Sequence, residues 1–190
     1  PSARRDSILM NVLGIDPGFA SMGWAVISFG DDGPACQSAG LIKTKRDPIQ
    51  SKHDDNLYRI QRIAQSLEKI EGLFAPSFVA CEAMSWTRHA NADRAVAMAW
   101  GAIGTALLEV PIIQISPVDV KDRLCGMKTA SKALVEEKVI ERISGAGEWL
   151  EKIARTQRNH VADAMAVALA CSEHTSFKMA RRMLKDEQSR

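Results

Sequence analysis

The sequence predicts a mixed α/β domain: a five-stranded sheet, three strands antiparallel and then two parallel, with helices on both faces. Three observations carry this. Residues 12–42 read as three apolar runs joined by tight turns, a β-meander. Apolar runs at 78–81 and 112–115 then alternate with longer stretches of helical periodicity. Such β-α-β crossovers make parallel neighbours, and an almost wholly apolar helix over 160–171 closes the pattern.

The opening stretch organises the rest. Val12 to Ile15 is an apolar strand that ends on Asp16, and Gly23 to Phe29 leaves the turn as a second strand. Pro17 biases Asp16 toward an extended conformation. Gly18 and Gly23 are expected to supply unusual backbone angles. The product is one carboxylate held at the end of a buried strand. After the turn at Asp31-Asp32-Gly33-Pro34, Cys36 to Ile42 makes the third strand, and Lys43 to Lys52 is a polar loop.

Leu57, Ile60, Ile63, Ala64, Leu67, Ile70 and Phe74 recur at helical spacing, and Pro76 ends that helix. Phe78 to Cys81 is a short buried strand, and it too ends on a carboxylate, Glu82. Ser85 to Asn91 reads as an exposed loop, and Asp93 to Leu108 as a helix rich in Ala and Gly that can pack closely on a sheet or a second subunit. Ile112 to Ile115 is a strand, and Ser116-Pro117 starts a short helix to about Leu124. Ser131 is the expected N-cap of a helix through Ile143, Gly145 to Gly147 a break, and Asn159 the N-cap of the last core helix. Residues 1–10 are expected to be a disordered extension, 11–175 the folded domain, and 176–190 a basic C-terminal tail, flexible or helical, within which Phe177 to Lys185 is amphipathic.

Composition is that of an ordinary globular domain: 46% hydrophobic, 25% charged, net charge +2. Residues 1–120 carry a balance of −2 and residues 121–190 one of +4, a modest basic bias. Cys36, Cys81, Cys125 and Cys171 are widely spaced, with no zinc or disulfide pattern, which fits a reducing compartment. No uncharged run exceeds the 14 residues of Ala95 to Leu108, short of the ~20 needed to span a bilayer. No secretory signal is visible, so secretion and membrane insertion are not expected.

Parallel neighbouring strands would bring Asp16 and Glu82 together. Two such carboxylates repel unless a proton or cation neutralises them, and a hard divalent ion such as Mg²⁺ suits their oxygens. His160 and Asp163 lie three apart, on one face of the closing helix, and would point toward the same sheet edge. Lys121, Lys128 and Lys132 are spaced to line one rim, although Lys128 reads better as a solvated surface lysine and Lys121 and Lys132 read equally so.

With these blocks in order, the sequence resembles the RuvC family of Holliday-junction resolvases, in the RNase H-like superfamily. Leu13 to Gly18 with Gly23 to Ile27 resembles the family's opening strand pair, and Cys81-Glu82 its second acidic position. Ser116 to Lys121 and Gly126 to Lys132 resemble its basic segment, and His160 to Ala166 its closing helix. The resemblance implies metal-binding roles for Asp16, Glu82, His160 and Asp163, with two Mg²⁺ or Mn²⁺ ions assisting phosphodiester hydrolysis. It implies DNA contacts for Lys121 and Lys132, and an aromatic wedge after Glu82, where Trp86 and Arg88 stand; Trp86 could instead pack on the core. It further implies a homodimer, with residues 93–108 as the interface, acting on four-way DNA junctions, and a branch-migration helicase as a further partner. Location would be cytoplasmic or nucleoid-associated in a bacterium or virus, and the organelle matrix in a eukaryote. His160 as a ligand is expected to favour Mn²⁺ and to weaken activity as the ring protonates.

Three other readings stay open. One is an RNase H-like nuclease for other branched or hybrid nucleic acids. Another is a junction-binding module without chemistry, against which four competent ligand positions argue. The last is a sugar kinase or actin-like ATPase, whose first turn is similar but which needs two such domains.

Overall fold

The computed structural model describes residues 9–84 and 90–188. Three antiparallel strands come first: β1 (Met10–Asp16), β2 (Ser21–Gly30) and β3 (Gly33–Lys43). Helix α1 (Lys52–Phe74), strand β4 (Phe78–Glu82), helix α2 (Ala90–Ala106) and strand β5 (Ile112–Ile115) follow. The sheet order is β3-β2-β1-β4-β5. β4 pairs parallel to β1, with Cys81 beside Ile15, and β5 pairs parallel to β4. The expected sheet is the observed one, with Asp16 and Glu82 side by side at the ends of β1 and β4.

Residues 10–16 alternate weakly because both faces of β1 are covered. Leu13 and Ile15 join a core with α1 and α2, while Met10 and Val12 join a second core on the opposite face. That opposite face holds α3 (Pro117–Cys125), α4 (Lys132–Arg142), the short α5 (Ala146–Glu151), α6 (Arg158–Cys171) and α7 (Thr175–Gln188). Every residue of α6 from Ala164 to Cys171 is buried, which accounts for its lack of a polar stripe.

The glycines of the opening motif work differently from the expectation. Among the described residues only Gly33, Gly126 and Gly145 are glycines with positive φ, so neither Gly18 nor Gly23 supplies an unusual angle. Gly14 and Gly23 instead allow close approach: a Cβ at Gly14 would overlap the carbonyl oxygen of Ala164, and one at Gly23 that of His160. α6 therefore lies directly on the backbones of β1 and β2.

Several boundaries shift. β1 opens at Met10, which is buried, one residue inside the expected extension. α1 starts at Lys52, capped by Ser51, whose side chain accepts from the Asp54 N–H. α2 begins at Ala90 and ends at Ala106. α5 occupies the expected break after Gly145; six residues are too few to show a helical period. The cap of α6 is Gln157 rather than Asn159. The stretch set apart as a basic tail forms α7, and its Phe177 packs edge-on against Phe29 at 5.1 Å between centroids. Among the described residues no helix is long and apolar enough to cross a membrane.

Candidate active site

Asp16 leaves β1 into a turn that is fastened from outside. Thr44 Oγ1 donates to the Phe19 carbonyl at 2.5 Å, Arg59 Nε donates to Thr44 Oγ1 at 2.9 Å, and the Arg59 guanidinium lies 4.1 Å from the centre of the Phe19 ring. Buried Asp55, one helical turn away, holds Arg59 at 3.7 Å. No local sequence pattern marks Thr44, Asp55 and Arg59 as supports, because their pairing is made by the fold.

Glu82 ends the neighbouring strand, and close packing of α6 on Gly14 and Gly23 brings His160 and Asp163 over both acids. Asp16, Glu82, His160 and Asp163 line one cavity of about 230 Å³, with Lys121 and Lys132 on its wall. Lys121 rides on α3, capped by Ser116, and Lys132 opens α4, capped by Ser131. Lys128 is exposed in the turn between them and does not line the cavity. Trp86 and Arg88 lie outside the described residues. On the far side of Asp16 and Glu82, a smaller cavity of about 150 Å³ is walled by Pro17, Met84 and Trp100. Trp100 was legible only as one aromatic in an Ala/Gly helix.

The electrostatics are those of too many acids in too little water. Burial, then the charges of Asp16 and Asp163, push the Glu82 carboxyl up to about 7. Burial and Asp16 also raise Asp163. His160 Nδ1 is hydrogen-bonded to Asp16 Oδ2 at 2.7 Å, and that bond raises the imidazole above its ordinary value. Lys132 Nζ stands 3.6 Å from Asp163 Oδ2, a cation already drawn to the acids. Cys81, next to Glu82, is buried and its thiol is pushed up, so it offers no thiolate nucleophile.

Three carboxylates and an imidazole suit a hard divalent cation or Mn²⁺. Among the described residues no three such side chains close on one point, because His160 is turned onto Asp16 and Asp163 toward Lys132. A neutral ring that donates Nδ1–H to Asp16 keeps its Nε2 lone pair for a ligand.

The titrations give a stability test. The folded state binds more protons at Glu82 than the unfolded chain between about 4.5 and 7, so its contribution to stability falls as pH rises through that window. His160, raised by Asp16, contributes stability that is full below its ordinary value and is lost as pH rises through its folded value. Both act in the same direction. Metal-free protein should melt lower at pH 8 than at pH 6, and Mg²⁺ should raise the melting temperature more at pH 8. An equal Mg²⁺ shift at both pH values would separate the acids from cation binding.

A sheet of this order, closed by a helix lying across its first two strands, is the RNase H-like fold. The family model described as Crossover junction endodeoxyribonuclease RuvC matches residues 12–171. The RuvC of Natranaerobius thermophilus is 28% identical over 166 residues, 86% of this chain and 95% of its own. That of Synechococcus sp. strain CC9605 is 31% identical over 161 residues, 84% of this chain and 96% of its own. The structure of Thermus thermophilus RuvC superposes with a TM-score of 0.70 at 28% identity, covering 90% of this chain and 96% of that one. The chain belongs to the RuvC family of crossover junction endodeoxyribonucleases.

Proposed function

We propose that the protein resolves four-way DNA junctions, cutting two strands symmetrically as a homodimer by divalent-metal-assisted hydrolysis. The observation that carries this is the gathering of Asp16, Glu82, His160 and Asp163 in one cavity walled by Lys121 and Lys132, in a RuvC-family chain. A RuvC structure similar to this chain, that of T. thermophilus, is described as a complex with Holliday junction substrate.

In this reading Asp16, Glu82, His160 and Asp163 hold two Mg²⁺ or Mn²⁺ ions. When bound, such ions supply Lewis-acid activation of water and of the phosphate. Glu82, pushed up to about 7, is the acid whose proton a bound cation would displace, and Asp16 keeps the His160 ring oriented through Nδ1. Lys132 exchanges Asp163 for a phosphate oxygen, and Lys121 meets the same strand from the other wall. Such contacts position the backbone without reading sequence. Lys128 contributes general attraction from outside the cavity. Trp86 stacks on an opened base pair, a contact worth ~1–3 kcal/mol, and Arg88 meets a neighbouring phosphate. A branch-migration helicase delivers the junction.

The dimer uses the outer face of α2. Ala97, Gly101 and Thr105 share one exposed face of α2 with Arg94 near its start, continued by Leu108 just past its end, and nothing among the described residues lies within 4 Å of the missing Cβ of Gly101 or Gly104. Gly101→Arg should yield a folded monomer, weakening dimerisation by about tenfold or more because a charge enters the contact. Light scattering coupled to size exclusion reads this, and a stable dimer would place the interface elsewhere.

The test is a labelled synthetic four-way junction incubated with Mg²⁺, Mn²⁺ or EDTA. Paired nicks at symmetry-related positions, lost in EDTA, are expected. A flap or splayed duplex cut as fast as the junction would contradict the junction assignment.

A further inference from the structure

The sheet fixes Asp16 from its N-terminal side only. Asp16 is the last residue of β1 to pair with β2, opposite Gly23, and the chain then turns through Pro17 to Ala20 into β2. That turn sets the direction in which the carboxylate leaves the strand. β3 pairs with β2 as far as Lys43 and Ser21, and the Thr44 N–H, donating to the Ala20 carbonyl at 3.1 Å, carries the ladder one residue into the turn. The Phe19 carbonyl accepts from Thr44 Oγ1 and, at 3.4 Å, from Arg59 Nη2. Arg59 has donors only, so its Nε–H to Thr44 Oγ1 obliges that hydroxyl to donate its proton to Phe19. Behind Arg59, 12% exposed, stands Asp55, 2% exposed, whose other oxygen accepts from the Asp47 N–H at 2.9 Å. A one-way chain of polar groups thus runs from Asp55 on α1, through Arg59 and Thr44, to the turn after Asp16.

We propose that Arg59 and Thr44 are positioning residues for Asp16: they fix the turn that aims its carboxylate, and through it the affinity of the pocket for a divalent cation. The inference rests on the reading of Asp16 as a metal ligand. A buried ion pair is an inefficient source of stability, since apolar side chains of similar volume often serve as well. What Arg59 provides is geometry. Its planar fork meets Thr44, the Phe19 carbonyl and Asp55 together, while its face lies on the Phe19 ring. Phe19 is thereby held by both carbonyl and side chain, three residues beyond Asp16. Asp16 needs such a hold, because its Oδ2 carries the His160 ring at 2.7 Å and its carboxylate shares one cavity with those of Glu82 and Asp163. Removing the groups that orient a metal ligand typically weakens metal binding ~10–100-fold. Arg59 and Thr44 act through the backbone rather than on the carboxylate itself, which places their effect at the lower end.

Mn²⁺ binding to the DNA-free protein, followed by electron paramagnetic resonance, tests this at a temperature where circular dichroism shows each variant folded. Thr44→Val keeps the branched shape but takes the hydroxyl from Arg59 Nε and the Phe19 carbonyl. Arg59→Lys keeps the charge but not the planar fork. Each should raise the Kd for Mn²⁺ by about tenfold. Thr44→Ser, which retains the hydroxyl, should raise it by about twofold at most. In metal-free Arg59→Lys the Thr44 amide, which donates to Ala20, should exchange its hydrogen about tenfold faster, the mark of a loosened turn. Junction affinity in EDTA should stay at the wild-type value, because Lys121 and Lys132 are untouched. Wild-type Mn²⁺ affinity in folded Thr44→Val and Arg59→Lys, a Ser variant as defective as the Val one, or an equal loss of junction affinity would each overturn the proposal. Asp16→Asn that binds Mn²⁺ like wild type would instead strike the metal-ligand reading. Unchanged exchange at Thr44 in Arg59→Lys would overturn the fixing of the turn whatever Asp16 binds.

Discussion

Asp16→Asn is expected to leave junction binding intact and to lower the nicking rate by about 10²–10³-fold or more, the usual scale for removing one electrostatic contact to the transition state. The variant keeps the size of the side chain and the end of β1, and an amide oxygen can still accept from His160 Nδ1. What it removes is one negative charge from the pair that β1 and β4 present together. On the proposed reading, the pocket would lose a ligand shared by two divalent cations. Lys121 and Lys132 remain to meet phosphate, and the repulsion between the acids and the DNA backbone falls. Gel shift in EDTA should therefore show affinity equal to or above wild type, while single-turnover cleavage collapses. A variant that retains a tenth of the wild-type rate would remove Asp16 from the chemistry.

Gly23→Ala is expected to damage both stability and activity, although it adds only one methyl group and removes no side chain of the site. The new Cβ would overlap the backbone carbonyl of His160. A backbone atom cannot rotate away as a side-chain tip can, so α6 has to lift from β2. Overpacking of this kind costs ~1–3 kcal/mol, occasionally more, or roughly 2–12 °C in melting temperature for a chain of this size. The lifted helix carries His160 and Asp163 away from Asp16 and Glu82, so cleavage should fall further than stability accounts for. Gly14→Ala, beneath Ala164, should act in the same direction. Gly72→Ala is the control: nothing among the described residues lies within 4 Å of its missing Cβ, it sits within α1, and Ala is favoured over Gly in a helix by ~1 kcal/mol. A Gly23→Ala protein that melts and cuts like wild type would remove close helix packing as the device that assembles the site.

The sheet was legible because its apolar runs are short, bounded by turn residues and interrupted by one clear amphipathic helix. Crossover handedness then left few arrangements, and the adjacency of Asp16 and Glu82 followed. His160 and Asp163 were legible as a pair because helical spacing is local. What brings that pair onto the acids was not. Gly14 and Gly23 were visible, but their use as a bed for α6 depends on contacts with Ala164 and His160, 150 and 137 residues further along the chain. The fastening of the Asp16 turn by Thr44, Asp55 and Arg59 is likewise tertiary. α7 read as a tail because its charge dominates and Phe177 is the one residue in it that is fully buried. α5 was hidden between glycines, and six residues are too short for periodicity to show.

The most direct measurement is an anomalous difference map from crystals soaked in Mn²⁺, collected above the manganese edge. Two peaks are expected in the cavity, within ligand distance of Asp16, Glu82, Asp163 and a ring nitrogen of His160. Crystals of cleavage-competent protein in which manganese is absent from those four side chains would contradict the claim that they form the metal-binding centre of a nuclease.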